Sequence, residues 1–225
     1  NQSSIFKIYQ VCFYKYPWLY NAASVVDVIP NGLDEFWLDN ISRHNDRDRK
    51  KDTKRVVYVG KFDKNKNLPG ILNAVESARR ADPNIVLTLV GGSVIELNKI
   101  CKLKQPPSWV RVVEYIHDKN SLLALYRESA VFLMPSYHET FGLVYLEALS
   151  QGVPFIYTKG EGIDGYFDDK DFTVAVEPND INKISDSILL LLKLFPLGVP
   201  HDRVETSLSN FSWHFVAEKY NKLIE

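Results

Sequence analysis

The chain has little cysteine. Cys12 and Cys101 are its two cysteines in 225 residues. They stand far apart, without the paired spacing of a metal site, and read as reduced thiols of a cytoplasmic protein. Charge of one sign is also missing. Lysine and arginine total 27 against 28 acidic residues, for a net charge of −1. No global field draws such a chain to nucleic acid. No apolar run approaches the ~20 residues of a membrane span. Repeats and low-complexity tracts are absent. G-x-S-x-G and Walker A patterns are absent too, and the five histidines show no metal spacing. The first residue is Asn1 rather than Met, as expected of a piece cut from a longer chain. The length suits one core, or one domain plus an appendage.

What is present is an alternation of apolar runs and helical patterns. Strands are expected over 56–60, 85–90, 110–115, 131–134, 154–157 and 172–176. Helices are expected over 68–80, 94–101, 122–128, 143–151, 180–194 and 213–224, the last capped by Ser212 and anchored by Trp213 in a hydrophobic seam. Continuous apolar strands joined by helical crossovers imply a parallel sheet covered on both faces. The expected class is α/β, a doubly wound, Rossmann-like parallel sheet of order 3-2-1-4-5-6. Residues 1–24 read as a junction appendage and 25–225 as the domain. Within the appendage, Ile5, Ile8, Tyr9, Cys12, Phe13 and Tyr16 share one helical face, and Pro17 ends the helix. That helix would pack on the core or on another half. A peripheral membrane contact is the weaker alternative, since Lys7 and Lys15 are its only cations. The stretch 43–55, with seven basic and three acidic residues, reads as a solvated connector.

The most informative pair is Glu139 and Glu147. Glu139 falls where the strand 131–134 runs into a loop, and Glu147 on the helix that follows. Between them, Gly142 lets a ligand approach the helix N-terminus, where free N–H groups favour anions. One strand–loop–helix unit thus offers two acceptors for sugar hydroxyls and one phosphate site, which suits a nucleotide-sugar. Phe141, Gly142 and Leu143 would supply backbone N–H groups. Glu147 projects between Leu143 and Val144 on a mostly apolar helix, so partial burial is expected. In the loop after the first Rossmann strand, Gly60, Lys61 and Lys66 place two cations at one strand end, able to neutralise a departing diphosphate.

The segment Glu139-Thr140-Phe141-Gly142-Leu143-Val144-Tyr145-Leu146-Glu147 resembles the E-x7-E motif of retaining, nucleotide-sugar-dependent glycosyltransferases of the GT-B fold, family 4. Three more stretches agree in order. Ile29-Pro30-Asn31-Gly32-Leu33-Asp34 resembles the segment that opens the C-terminal half. Val59 to Asn67 resembles the donor-phosphate loop, with Lys61 in place of the family's arginine. That exchange trades a two-pronged fork for a point charge. Gly160 to Gly165 resembles the glycine-rich loop after the next strand, with Gly162 or Ile163 giving backbone contacts to the donor.

The resemblance implies a C-terminal, donor-binding half of a GT-B enzyme, separated from the half that holds the acceptor. It implies transfer of a sugar from a UDP- or GDP-linked donor to an acceptor hydroxyl with retention, the diphosphate serving as internal base. Polysaccharide or cell-envelope glycan assembly, with a glycan or lipid-linked acceptor, is the expected setting. The site would be cytoplasmic or peripheral at the inner face of the membrane. Catalytic roles fall to Lys61, Lys66 and Glu139. Donor contacts fall to Gly60, Gly91, Gly92, Tyr115, Ile116, Phe141, Gly142, Leu143, Glu147 and Gly162, with Tyr115 and Ile116 at the base. No metal or separate cofactor is expected. The D-x-D triplets at Asp46–Asp48 and Asp169–Asp171 end no strand and read as chance, and His138 lacks a partner pattern for a catalytic base.

Three other readings are weighed. The runner-up of the same fold is a nucleotide-sugar epimerase. A second class is a non-catalytic module that senses nucleotide-sugar. A third is a dinucleotide-dependent dehydrogenase, since 160–165 spells G-x-G-x-x-G. Only 166–171 separate that glycine loop from the next strand, too short for a crossover helix.

Overall fold

The computed structural model describes residues 5–8, 25–43 and 54–224. Two short strands, β1 (Ile5–Ile8) and β2 (Val25–Val28), pair in parallel as a separate sheet. Then follow α1 (Glu35–Asp39), β3 (Lys54–Val59), a 3-10 turn (Lys64–Lys66), α2 (Leu68–Ala81), β4 (Ile85–Val90) and α3 (Val94–Cys101). Next come β5 (Val110–Val113), α4 (Lys119–Arg127), β6 (Val131–Met134), α5 (Leu143–Ser150), β7 (Phe155–Thr158) and β8 (Thr173–Val176). The chain closes with α6 (Ile181–Leu194), α7 (His201–Leu208) and α8 (Trp213–Ile224).

The main sheet has six parallel strands in the order β5-β4-β3-β6-β7-β8, the expected doubly wound order. Its centre is drier than its edges. All residues of β6 and β7 are buried, whereas β5 and β8 are largely half-exposed. That is the burial expected of strands covered on both faces in the middle and on fewer sides at the rim. Helices α2 and α6 pack together, and α5 meets α1, α4 and α7. On α2, Leu68, Ile71, Val75 and Ala78 recur at helical spacing and are fully buried, each large side chain worth about 1.5–3 kcal/mol of burial. No helix among the described residues is long and apolar enough to cross a membrane.

Several expectations need correction. The helix expected from Ile5 is a strand at Ile5–Ile8. Short apolar runs do not distinguish the two periods, and the valine-rich β2 alongside supplies a strand partner. The rest of that expected helix, and the connector from 44 to 53, lie outside the described residues. The third main strand stops at Val113, not at Tyr115. Its partner β4 ends at Val90, and the Gly91 N–H closes the ladder on the Val113 carbonyl at 3.0 Å. Helix α4 starts earlier than expected because the Asp118 carboxylate accepts from the Asn120 and Ser121 amides. Helices α1 and α7 were not expected. Asp34 caps the first through the Phe36 amide, and Val204 and Leu208 bury the second.

Ser212 does cap α8, accepting from the Phe215 amide at 3.1 Å. Trp213 is no buried anchor, being 53% exposed. Its indole lies over Gly32, where a Cβ would collide with the ring. The Leu33 amide donates to the Phe211 carbonyl at 2.6 Å, tying the segment after β2 to the end of the chain.

Candidate functional site

The loop after β3 is shaped by two asparagines flanking Lys66. Asp63 accepts from the Asn65 and Lys66 amides and starts the 3-10 turn. Asn65 then holds the His138 peptide at both ends: the His138 amide donates to its Oδ1 at 3.0 Å, and its Nδ2 donates to the His138 carbonyl at 2.8 Å. Asn67 adopts φ +52, a conformation asparagine tolerates better than most residues. Its side chain is buried, caps α2 through the Gly70 amide, and donates to the carbonyls of Pro135 and Pro178. The loops after β3, β6 and β8 are therefore joined around Lys66.

Lys66 and Glu139 meet. Lys66 Nζ lies 2.6 Å from Glu139 Oε2, and both side chains are more than four-fifths buried. The other Glu139 oxygen accepts from the Thr140 amide at 3.1 Å. Beside the pair, α5 begins at Gly142 with φ +81 and no side-chain cap. A Cβ there would stand 2.5 Å from the Tyr145 ring, so the close turn into the helix requires glycine. Gly60, Lys61, Lys66, Glu139, Phe141, Gly142 and Leu143 all line one cleft of ≈ 350 Å³ at the carboxyl ends of β3 and β6. Lys61 is exposed, and its carbonyl accepts from the Tyr58 hydroxyl at 2.9 Å. The Phe141 ring itself turns into the core against Tyr166 and Phe211.

Glu147 sits apart from that cleft. It is half-buried on α5, with the Tyr126 hydroxyl of α4 at 3.4 Å. Burial pushes its carboxyl up to about 7, against the lowering effects of the Tyr126 hydrogen bond and the Lys119 charge. Lys119 is itself paired with Asp34 at 2.6 Å.

The remaining expected contacts line other surroundings. Gly91, at φ +115, lets the Gly60 carbonyl pass where a Cβ would stand, and Gly92 lies under the Phe62 ring. Both glycines serve the close approach of two loops. Tyr115 is exposed, edge-on to His117 with ring centroids 4.6 Å apart, and Ile116 is half-buried against the core. Gly162 supports the site from behind: its N–H donates to the Glu139 carbonyl at 3.0 Å and is not turned to the cleft. The Glu161 carboxylate accepts from the Glu139 amide at 2.9 Å and lies 3.4 Å from His138 Nδ1. Asn65, Asn67 and Glu161 were missed by sequence reasoning. Only Asn67, standing just before Leu68-Pro69 at a helix start, carried a local signal.

Two larger cavities, ≈ 470 and ≈ 520 Å³, lie beside the loop 164–170 and the β8 edge. Neither is lined by Lys61, Lys66, Glu139 or Glu147. The smaller cleft is the candidate site because it gathers cations, a carboxylate and an uncapped helix start at the carboxyl edge of a parallel sheet, where such folds bind ligands. Of the two D-x-D triplets, Asp46–Asp48 lies outside the described residues. In the other, Asp169 pairs with Lys170 and Asp171 with Arg203. Among the described residues, no group of three or more His, Cys, Asp or Glu is placed to hold a metal ion.

The family model for glycosyl transferases group 1 matches residues 39–197. The O-antigen chain mannosyltransferase B of Escherichia coli is 30% identical over 142 residues, covering 61% of this chain and 36% of the relative. The D-inositol 3-phosphate glycosyltransferase of Corynebacterium jeikeium is 27% identical over 215 residues, covering 89% of this chain and 51% of the relative. The chain thus spans about half, or less, of the length of these curated relatives. In fold it is similar to sucrose-phosphate synthase from Thermosynechococcus elongatus, with a TM-score of 0.75, 24% identity, and coverage of 98% of this chain and 57% of that one. The pneumococcal O-GlcNAc transferase solved with UDP and GlcNAc gives a TM-score of 0.72 at 18% identity, covering 98% and 44%. The chain belongs to the glycosyl transferases group 1 family, and its fold is that of the C-terminal half of GT-B glycosyltransferases.

Proposed function

We propose that this chain is the donor-binding half of a retaining glycosyltransferase that moves a sugar from a UDP- or GDP-linked donor to an acceptor hydroxyl. The observation that carries the reading is the Lys66–Glu139 pair beside the uncapped start of α5. Cations and free helix N–H groups suit a diphosphate, and a carboxylate one side chain away suits sugar hydroxyls. Lys61 and Lys66 would stabilise the diphosphate as it leaves. Glu139 would accept from the sugar hydroxyls and Glu147 from the ribose hydroxyls. Tyr115 and Ile116, after β5, would border the base. The acceptor hydroxyl would attack the anomeric carbon on the face from which the diphosphate departs, passing its proton to the departing phosphate oxygen. The O-antigen chain mannosyltransferase among the relatives supports a glycan acceptor, and the D-inositol 3-phosphate glycosyltransferase a small polyol one, in either case held by another half.

A thermal-shift panel of UDP, GDP, ADP and NAD tests the reading, since a ligand raises the melting temperature according to its concentration over Kd. UDP or GDP should shift the chain. A shift with NAD alone would make it a dehydrogenase, and epimerised free donor would make it an epimerase. The chain alone should bind nucleotide without transferring sugar above background, because acceptor positioning and exclusion of water require closure against another half.

A further inference from the structure

We propose that Glu161 is a positioning residue that aims Glu139 into the cleft by holding its backbone. The proposal rests on the reading of Glu139 as the donor-sugar acceptor. Glu139 lies in a loop, between the end of β6 and the start of α5, where no ladder fixes it. Its peptide groups are nonetheless held from one side by two consecutive residues. The Glu139 amide donates to Glu161 Oε2 at 2.9 Å, and the Gly162 amide donates to the Glu139 carbonyl at 3.0 Å. From the other side Asn65 holds the preceding peptide at both ends. The loop is thus clamped between the turn that carries Lys66 and the turn after β7.

Two features fit this role. Glu161 is buried, and burying a carboxylate is costly unless its oxygens are satisfied. Here one oxygen takes the Glu139 amide and the other faces His138 Nδ1 at 3.4 Å. The acceptor oxygen is thus spent on a neighbouring loop's backbone, which suits a task of holding that loop rather than filling space. The approach is also close. A Cβ on Gly162 would stand 2.9 Å from both Glu139 Cγ and the Phe141 carbonyl, so the clamp touches the Glu139 side chain at its root. Displacing that root moves the carboxylate away from Lys66 and from any sugar in the cleft, and errors of about 1 Å suffice to cost an active site up to ~100-fold.

The test compares the unmutated chain with Glu139→Ala, Glu161→Ala and Glu161→Gln by calorimetry. The probes are UDP with UDP-glucose and GDP with GDP-mannose. The quantity read is the preference for nucleotide-sugar over the matching nucleotide. Glu139→Ala should erase it. Glu161→Ala should reduce it by about tenfold, the size of one hydrogen bond to a charged group, while leaving nucleotide affinity in place. Glu161→Gln should keep it, because the amide oxygen still accepts from the Glu139 N–H. A Glu161→Ala chain that does not fold is replaced by Glu161→Asp, whose carboxylate falls one methylene short. Unchanged preference in Glu161→Ala, equal losses for nucleotide and nucleotide-sugar, or a Gln variant as impaired as Ala would each overturn the proposal. No preference in the unmutated chain, or one that survives Glu139→Ala, overturns the reading of Glu139 and this proposal with it.

Discussion

Helices α3 and α5 both begin just beyond the carboxyl ends of sheet strands, and their first turns are finished in opposite ways. At α3, Ser93 and Glu96 form a reciprocal box. The Glu96 amide donates to Ser93 Oγ at 3.3 Å, and Glu96 Oε2 accepts from the Ser93 amide at 2.7 Å. At α5, Gly142 supplies no cap, and Glu139 is turned to Lys66 and the Thr140 amide. The α3 start is closed by its own chain. The α5 start has no side-chain cap and stands beside the Lys66–Glu139 ion pair. A little further along α5, Glu147 is half-buried, and burial raises its pKa. One helix start is thus satisfied by its own side chains, and the other is left to backbone beside a cation and a carboxylate, which is why the larger effects on binding are expected there.

The largest effect on the open helix start is expected at Lys66. Lys66→Ala should weaken UDP or GDP binding by about 1.5–3 kcal/mol, as for a hydrogen bond to a charged group. The upper part is expected, because the substitution also strips Glu139 of its cation and leaves a carboxylate facing the diphosphate. Calorimetry showing unchanged affinity would make the α5 start as closed as that of α3.

Glu147 gives the next effect, through pH. Its folded pKa is raised to about 7, so between the ordinary glutamate value and about 7 the folded state holds a proton that the unfolded chain has released. The chain should therefore lose stability as pH rises from near the ordinary glutamate value through about 7. Glu147→Gln removes that dependence. At pH 8 the variant should be more stable than the parent by about 3 kcal/mol, and at pH 4 nearly equal to it. Denaturant melts across this range check the sign, and a difference independent of pH would show that Glu147 is not protonated by burial.

Ser93→Ala addresses the closed helix. It should cost about 1 kcal/mol of stability, as lost N-caps do, without changing nucleotide affinity. A loss of nucleotide binding would show that the α3 start also serves the ligand. The smallest effect is expected at Lys61. It is exposed, so screening by water limits it, and Lys61→Ala should weaken nucleotide binding by about 0.5–1 kcal/mol. A loss matching that of Lys66→Ala would mean that the site closes over Lys61 when occupied.

Much of the fold was legible. The strand order followed from apolar runs separated by helical crossovers, and α2, α3, α5 and α6 fell within a residue or two of expectation. The short elements were not legible. α1, five residues long, is too short for a periodic signal to stand out, and α7 follows Pro200 without a side-chain cap and buries only Val204 and Leu208. In the site, Gly60, Lys61, Lys66, Glu139, Phe141, Gly142 and Leu143 were placed at strand ends and do share a cleft. The role of Gly162 was not legible, because its amide partner lies on another loop. Asn65 and Glu161 gave no warning, since neither forms a local motif with the residue it holds.

Sequence alone set the period of the longer segments from 54 onward, and so the parallel sheet and which residues stand where its strands end. That information is local, because side-chain alternation and helical spacing are set within a few residues. Only the tertiary structure decided that Lys66 would meet Glu139 across 73 residues of chain, that Glu161 would hold the Glu139 amide, and that Tyr126 would lie against Glu147. Those contacts depend on how loops from separate crossovers pack at one sheet edge. A pairing of this kind leaves no periodic trace, because it is fixed by the distance between elements in space rather than along the chain.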